Sequence, residues 1–187
     1  MLNNAVEIRK RVVQALERQE MKHRFSDDME RIRITYGAEG KLKSVMISII
    51  FADFGFSIRA YIDIDADEDS RIRVAEYVNR INYRIRRGNF QMDFNDGEIC
   101  FRDFIDCRER DDISDELIRY YIEYPVNVFE EYGDGFLAVM YGIKSPEDAL
   151  KDMDKDDSAP QINKCSNCDS EVPAGGKFCA SCGNKLS

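Results

Sequence analysis

The sequence predicts an α+β domain, an antiparallel sheet with helices packed on it, followed by a small cysteine-bearing tail. Three observations carry this. Three consecutive stretches between residues 30 and 64 have strand composition, and a further pair near residues 90–105 is joined by Asn95-Asp96-Gly97. Segments with helical period flank and separate these two groups. Strands that follow one another in runs pair antiparallel, leaving helices to cover one face.

Taken in order, residues 2–19 form an amphipathic helix. Leu2, Val6, Val12, Val13 and Leu16 keep to the 3.6-residue period, with Glu7, Arg9, Lys10 and Arg11 largely outside. Residues 30–36 alternate Ile32, Ile34 and Tyr36 against Arg31, Arg33 and Thr35, the pattern of a sheet with one wet face. Gly37-Ala38-Glu39-Gly40 reads as a loop. Residues 43–51 and 56–64 are strands around the turn Asp53-Phe54-Gly55. The first of these is apolar on both faces, which places it centrally. The second sets Phe56, Ile58, Ala60, Ile62 and Ile64 against Ser57, Arg59, Tyr61 and Asp63.

Residues 70–87 form a helix on Val74, Val78, Ile81 and Ile85, ended by Gly88 behind Arg84, Arg86 and Arg87. Residues 90–94 and 98–105 are hairpin strands, with Phe90, Met92 and Phe94 on one face. Ser114 caps a long helix to about residue 141, carried by Leu117, Ile118, Tyr121 and Ile122 and then Val128, Phe129, Tyr132, Phe136 and Met140. Pro125 predicts a kink or break within it, because proline removes an amide and crowds the preceding turn. Ser145-Pro146 opens a last short helix, and Gly142 stops the one before. The chain therefore divides into a domain at 1–152, an acidic flexible linker at 153–163 and a tail at 164–187.

Composition limits the function. The 187 residues are 43% hydrophobic and 34% charged, with 11 Phe, 9 Tyr and no Trp. A domain near this size buries roughly 68–70% of its unfolded surface and needs no staples. The net charge of −9, from 27 Lys and Arg against 36 Asp and Glu, argues against coating nucleic acid or anionic membranes. The first twenty residues carry charges throughout and have no apolar core, unlike a signal peptide. The longest uncharged apolar runs, 45–52 and 136–143, are far shorter than the ~20 residues of a spanning helix. These features point to the cytoplasm, where thiols stay reduced. The single histidine, His23, lies among charged residues and reads as exposed and inert, which leaves His-based triads one possible base. A binding protein fits better than an enzyme, and no catalytic or cofactor-binding residues are assigned.

The strongest motif is in the tail. Cys165, Cys168, Cys179 and Cys182 form two CxxC pairs ten residues apart. Two residues between thiolates let both reach one metal from a tight knuckle, and two knuckles complete a tetrahedron. The expectation is one Zn²⁺, tetrahedral, in a four-cysteine ribbon, whose binding supplies the folding energy that this short segment lacks. Iron also suits four sulfurs, while disulfides and redox pairs suit neither the compartment nor the context. Gly183 follows the second pair and Asp169 the first. With Lys164, Lys177 and Lys185 against Asp169 and Glu171, a zinc-loaded tail carries about −1, poor for gripping phosphates.

Other constellations are weaker. Asp63, Asp65, Asp67 and Asp69 alternate like the start of a calcium loop, but Glu68 and Val74 stand where that loop needs Gly and Glu. Arg73, Arg80, Arg84 and Arg87 form a cationic stripe that reads as a solvated face or an anionic contact. Tyr120, Tyr121, Tyr124 and Tyr132 are too many to be all core and suit a protein interface. Cys100 and Cys107 read as buried free thiols.

Two stretches resemble the YbjN family, described as bacterial sensory-transduction regulators. One runs from Val74-Ala75-Glu76-Tyr77-Val78-Asn79-Arg80-Ile81-Asn82-Tyr83 through Gly88-Asn89-Phe90-Gln91-Met92-Asp93 to Asp96-Gly97-Glu98. The other is Leu137-Ala138-Val139-Met140-Tyr141-Gly142 with Ser145-Pro146-Glu147-Asp148-Ala149-Leu150. The tail separately resembles short bacterial zinc-ribbon tails, with Asp169 where glycine is usual. The resemblance implies a fold similar to type III secretion chaperones, a homodimer, an unidentified protein partner and no enzymatic activity. The reading is a non-enzymatic cytoplasmic adaptor that binds a partner protein in a chaperone-like manner, with the ribbon as second contact. The alternative is a regulator acting on nucleic acid or the transcription and translation machinery through the ribbon.

Overall fold

A computed structural model describes residues 4–26, 30–108, 110, 112–156, 162–168, 170–173, 178–179 and 181–185. The chain divides into two compact units, Met1–Ala149 and Leu150–Ser187.

The first unit begins with helix α1 (Ala5–Arg18), which Asn4 caps by accepting from the Glu7 N–H at 2.9 Å. It buries Ile8, Val12, Ala15 and Leu16. Val6 is exposed instead, and Leu2 lies outside the described residues. Val12 and Leu16 are buried as expected, while Ile8 and Ala15 take the places expected of Val6 and Val13.

Strands β1 (Arg24–Phe25), β2 (Arg31–Gly37), β3 (Ser44–Ala52) and β4 (Gly55–Tyr61) follow. Helix α2 (Arg71–Asn82), strands β5 (Asn89–Met92) and β6 (Ile99–Asp106), and helix α3 (Asp115–Met140) complete the layer. The sheet order is β1-β2-β3-β4-β6-β5, every neighbour antiparallel. Its inner face is Ile32, Val45, Ile47, Ile49, Phe56, Ile58, Ala60 and Phe101, all with no exposed surface. Helices α1 and α3 lie over β3 and β4, while α2 packs on α3 and β5. This is the expected α+β layer with the apolar 44–52 strand inside the sheet.

Two expected helix features differ. Helix α2 stops at Asn82, short of Gly88, because the Asn82 amide pairs with the backbone of Phe90: it accepts from the Phe90 N–H at 2.8 Å and donates to the Phe90 carbonyl at 3.0 Å. That pair turns the chain into β5 before the helix can use Ile85. Helix α3 runs unbroken through Pro125, which is buried along with its helix neighbours Ile122, Val126 and Phe129. Apolar packing on both sides of the proline offsets a cost of about 3 kcal/mol.

The docking of α3 uses absent side chains. A Cβ on Gly135 would lie 1.8 Å from the Tyr77 hydroxyl oxygen, and one on Gly133 would lie 2.2 Å from Leu42 Cδ1. Tyr77 fills the first gap, donates to the Tyr132 carbonyl at 3.2 Å and stacks edge-on against Phe136 at 5.0 Å. Phe90 joins the same cluster, edge-on to Phe101, Phe129 and Phe136 at 5.0–5.4 Å. Arg73 closes the end of α3, donating from Nε and Nη2 to the Val139 and Met140 carbonyls at 2.7 and 2.6 Å. A guanidinium there also complements the negative end of the helix.

The 93–98 turn rests on Gly97, whose φ is +88° and whose missing Cβ would lie 1.9 Å from the Ala66 carbonyl oxygen. Helix α4 (Pro146–Asp156) has the expected Ser145 cap, its hydroxyl accepting from the Asp148 N–H at 3.1 Å. It continues to Asp156, four residues into the segment read as linker, and residues 157–161 lie outside the described ones. The second unit contains a hairpin of β7 (Ile162–Lys164) and β8 (Glu171–Pro173).

Gly135→Ala provides a test in which two effects have opposite signs. Helix propensity alone favours alanine by about 1 kcal/mol, whereas overpacking costs typically about 1–3 kcal/mol. With Tyr77 fully buried and held at both ends, urea unfolding should show a net loss of stability. Unchanged or increased stability would remove the notch from the account.

Candidate metal centre

The two CxxC pairs meet in the second unit. All four sulfurs lie within 4.8 Å of one another, with Cys165–Cys182 and Cys168–Cys179 each at 3.7 Å. A regular tetrahedron with metal–thiolate bonds of about 2.3 Å has edges of about 3.8 Å. A disulfide needs about 2.05 Å, and all four cysteines are free thiols. Among the described residues this is the one group of three or more His, Cys, Asp or Glu side chains placed to hold a metal ion.

Both knuckles are built alike. The Cys165 N–H donates to the Ser170 carbonyl at 2.9 Å, and the Cys179 N–H donates to the Asn184 carbonyl at 2.8 Å. Each loop thus closes five residues beyond its first cysteine. In the second, Gly183 takes a φ of +71°, which its residue type permits without strain. Asp169, at the matching position of the first, lies outside the described residues. The Asn167 N–H points at Cys165 Sγ from 3.5 Å. The backbone N–H groups of Ser170, Ser181 and Asn184 address Cys168, Cys179 and Cys182 in the same way. Each sulfur therefore meets an amide two residues on, an arrangement that favours thiolates.

The Ser170 hydroxyl and amide lower the Cys168 thiol to about 6, and the Cys182 and Ser181 amides lower Cys179. Cys182 has the Asn184 amide and the Asn167 side chain beside it, yet the nearby Cys168 sulfur raises it to about 11. Thiolates this close repel one another, and a divalent cation at their centre relieves that repulsion. The residues present fit a tetrahedral ion. Asn167 and Ser170 are supporting residues that the sequence reading misses, although their shared i+2 spacing from a cysteine is visible in it.

The remaining candidates fall elsewhere. Asp67 is spent on structure, its carboxylate accepting from the Ser70 N–H at 2.8 Å ahead of α2. His23 is half-buried, not exposed: Nδ1 lies 2.9 Å from the Met21 carbonyl and the ring stands edge-on to Phe25. Cys100 and Cys107 are buried, and burial raises both thiols, Cys100 to about 11.

The arginine stripe dissolves into separate tasks. Arg73 caps α3, Arg80 pairs with Glu76 at 2.8 Å, and Arg87 pairs with Asp103. Arg87 also stacks over Tyr121 at 4.2 Å. With Arg84, it borders a hollow of about 390 Å³ edged by Tyr120, Tyr124 and Tyr132. The structure thus brings together arginines and tyrosines that stand far apart in the sequence.

An antiparallel six-stranded sheet with helices on one face, joined to a four-cysteine module, defines a two-part α+β chain without a membrane-spanning helix among its described residues. The chain belongs to the YbjN family, described as "Putative bacterial sensory transduction regulator", whose model matches residues 9–138. That match starts in α1 and ends two residues before the end of α3, so it covers the first of the two resembling stretches and only the start of the second. No curated protein matches the chain.

Replacing Cys165 and Cys168 together by serine should abolish the one equivalent of bound metal found by elemental analysis. Retained metal would mean other ligands. In the native protein, Cys107, with no exposed surface, should stay unmodified by thiol reagents until the chain is denatured.

Proposed function

We propose that this chain is a non-enzymatic cytoplasmic adaptor of the YbjN family. Its α+β domain binds a partner protein in a chaperone-like manner, and a structural zinc ribbon makes a second contact. The observation that carries the reading is the sulfur cluster. Four cysteines on two matched knuckles, attached to a domain of a regulator family, suit a module whose task is to hold shape and bind. Cys165, Cys168, Cys179 and Cys182 would hold the ion. Zinc is the usual occupant of four thiolates, and a closed set of four cysteines leaves no position for substrate.

The hollow beside Tyr120 and Tyr124 supports a protein-facing role, since tyrosine offers a large apolar ring and a hydroxyl at interfaces. Two modest contacts on one chain gain affinity through effective concentration, which gives a reason to join the parts. The acidic balance of −9 weighs against nucleic acid as the primary target.

The test is affinity capture on the full-length protein from native extract, divided into nuclease-treated and untreated halves. A discrete protein that survives nuclease is the expected outcome. A ribosomal or transcriptional catch that vanishes with nuclease would transfer the function to the ribbon acting at nucleic acid. Removing residues 157–187, which leaves α4 whole, should preserve the thermal transition of the first domain, and a large loss would join the two parts into one folding unit. Sedimentation at high concentration should show the homodimer, and monomer alone would remove it.

A further inference from the structure

The face of the sheet turned away from α1 and α3 carries an ordered row of charge. Strand register aligns Arg24 with Arg33, Arg33 with Ser48, Ser48 with Arg59, Arg59 with Arg102, and Arg102 with Asn89. Four arginines thus lie in one line across five strands. With neighbouring strands about 4.8 Å apart, the line from Arg24 to Arg102 is about 19 Å long. Among the described residues none of the four is in an ion pair. Ser48 beneath them is 6% exposed. A chain of net charge −9 has therefore gathered four arginines without ion pairs on one face of its sheet, with Glu98 the acid that interacts with Arg59.

The rows on either side mix polar residues, a fifth arginine (Arg31) among them, with the large apolar side chains Met46, Tyr61, Ile50 and Phe104. One runs Thr35, Met46, Tyr61, Cys100 and Gln91, and the other Arg31, Ile50, Ser57 and Phe104. Met46 is 44% exposed and Phe104 48%. Between Arg59 and Arg102 the surface sinks into a hollow of about 500 Å³, floored by Tyr61 and Cys100. Arg59 Nε is buried there with no acceptor. The guanidinium meets the Tyr61 side chain and interacts with Glu98, yet a buried donor without an acceptor is costly, and a carboxylate entering the hollow would supply one. Glu98 and Asp93 edge the hollow on the side of the 93–98 turn, which restricts an incoming anion to the arginine side. Asp106, also on this face, is engaged by Arg108.

We propose that this row docks an extended acidic segment of a partner protein, one of its carboxylates entering the hollow to accept from Arg59 and Arg102. The proposal rests on the adaptor reading and gives it a surface and a partner chemistry. Guanidinium forks match carboxylates in pairs, and the large apolar side chains of the flanking rows receive the aliphatic or aromatic side chains that alternate with the acids along an extended chain. A nucleic-acid strand fits less well. It needs successive exposed rings for its bases, whereas Phe104 lies against Gly55 and Tyr61 is half-buried in the hollow's floor. The acidic remainder of the molecule also repels a long polyanion, whose charges extend well past the row, at distances of about one Debye length, ~8 Å.

The experiment uses full-length protein and fluorescence anisotropy with three labelled probes. These are a peptide of about eight residues alternating Glu with Leu and Tyr, its Gln counterpart, and an oligothymidylate of similar length. The acidic peptide should bind best and weaken with added salt, and Arg59→Gln with Arg102→Gln should weaken it about tenfold or more, as loss of charge-assisted pairs does. Arg80→Gln, on α2, should change nothing. Arg33→Glu, at an exposed position, is the second variant should the first fail to fold, and it should weaken the acidic peptide likewise. Equal binding of the Glu and Gln peptides overturns the proposal, as does an unaffected arginine variant. Tighter binding of the oligonucleotide, lost in the same variants, overturns the occupant. A captured protein held equally by wild type and Arg59→Gln/Arg102→Gln overturns this surface while the adaptor reading stands.

Discussion

The first domain depends on a gap in a helix. Gly135 lets Tyr77 lie against the backbone of α3, and that contact brings α2 and α3 close enough for Phe90, Phe129 and Phe136 to interlock. From there the other contacts follow. Phe90 sits on β5, and the same residue's backbone pairs with Asn82 to end α2. Arg73, one turn before Tyr77 on α2, closes the far end of α3. A single tyrosine in a glycine notch thus sets the spacing between two helices, the sheet edge and the helix end. Interiors packed to crystal-like density transmit such a constraint without slack.

This arrangement puts the helices on one side of the sheet and leaves the other to solvent within the first unit. The two faces have different work. The inner one is aliphatic and aromatic except for Asp103, which Arg87 pairs, and the outer one is a line of arginines between rows of mixed polarity. The second unit is built on another principle. Its four cysteine sulfurs come together where they could hold a metal ion, each met by a backbone amide.

How much of this is legible in the sequence depends on whether the information is local. The four cysteines can be read because ligand spacing is written in adjacent residues. The strands at 31–37 and 55–61 can be read because period-two alternation is local too, and the one at 44–52 because its run of apolar residues is. Helix α2 reads too long because Ile85 continues the apolar period by chance, whereas Asn82 finds its partner eight residues on, in a strand. The buried face of α1 is read in part, at Val12 and Leu16 but not at Ile8, because Val6 and Ile8 are equally apolar and only tertiary packing distinguishes them. Pro125 counts locally as a breaker, and long-range packing overrides it. The glycine notch and the arginine row are invisible for one reason. Each is a coincidence of residues far apart in sequence, Gly135 with Tyr77 and Arg33 with Arg59 and Arg102, and register is not a property of any one segment.

The sheet's two borders have a further meaning. Strand β1 is two residues long and β5 four, so neither border offers more than a short ladder of unpaired backbone groups. Long flat borders invite other chains to add strands, in amyloid as in strand-exchange complexes, and short ones blunt that tendency. The molecule is thereby guarded against uncontrolled stacking at its margins. Whatever it recognises through this sheet must be read by side chains on a broad surface, with selectivity written in charge and shape instead of in shared main-chain pairing.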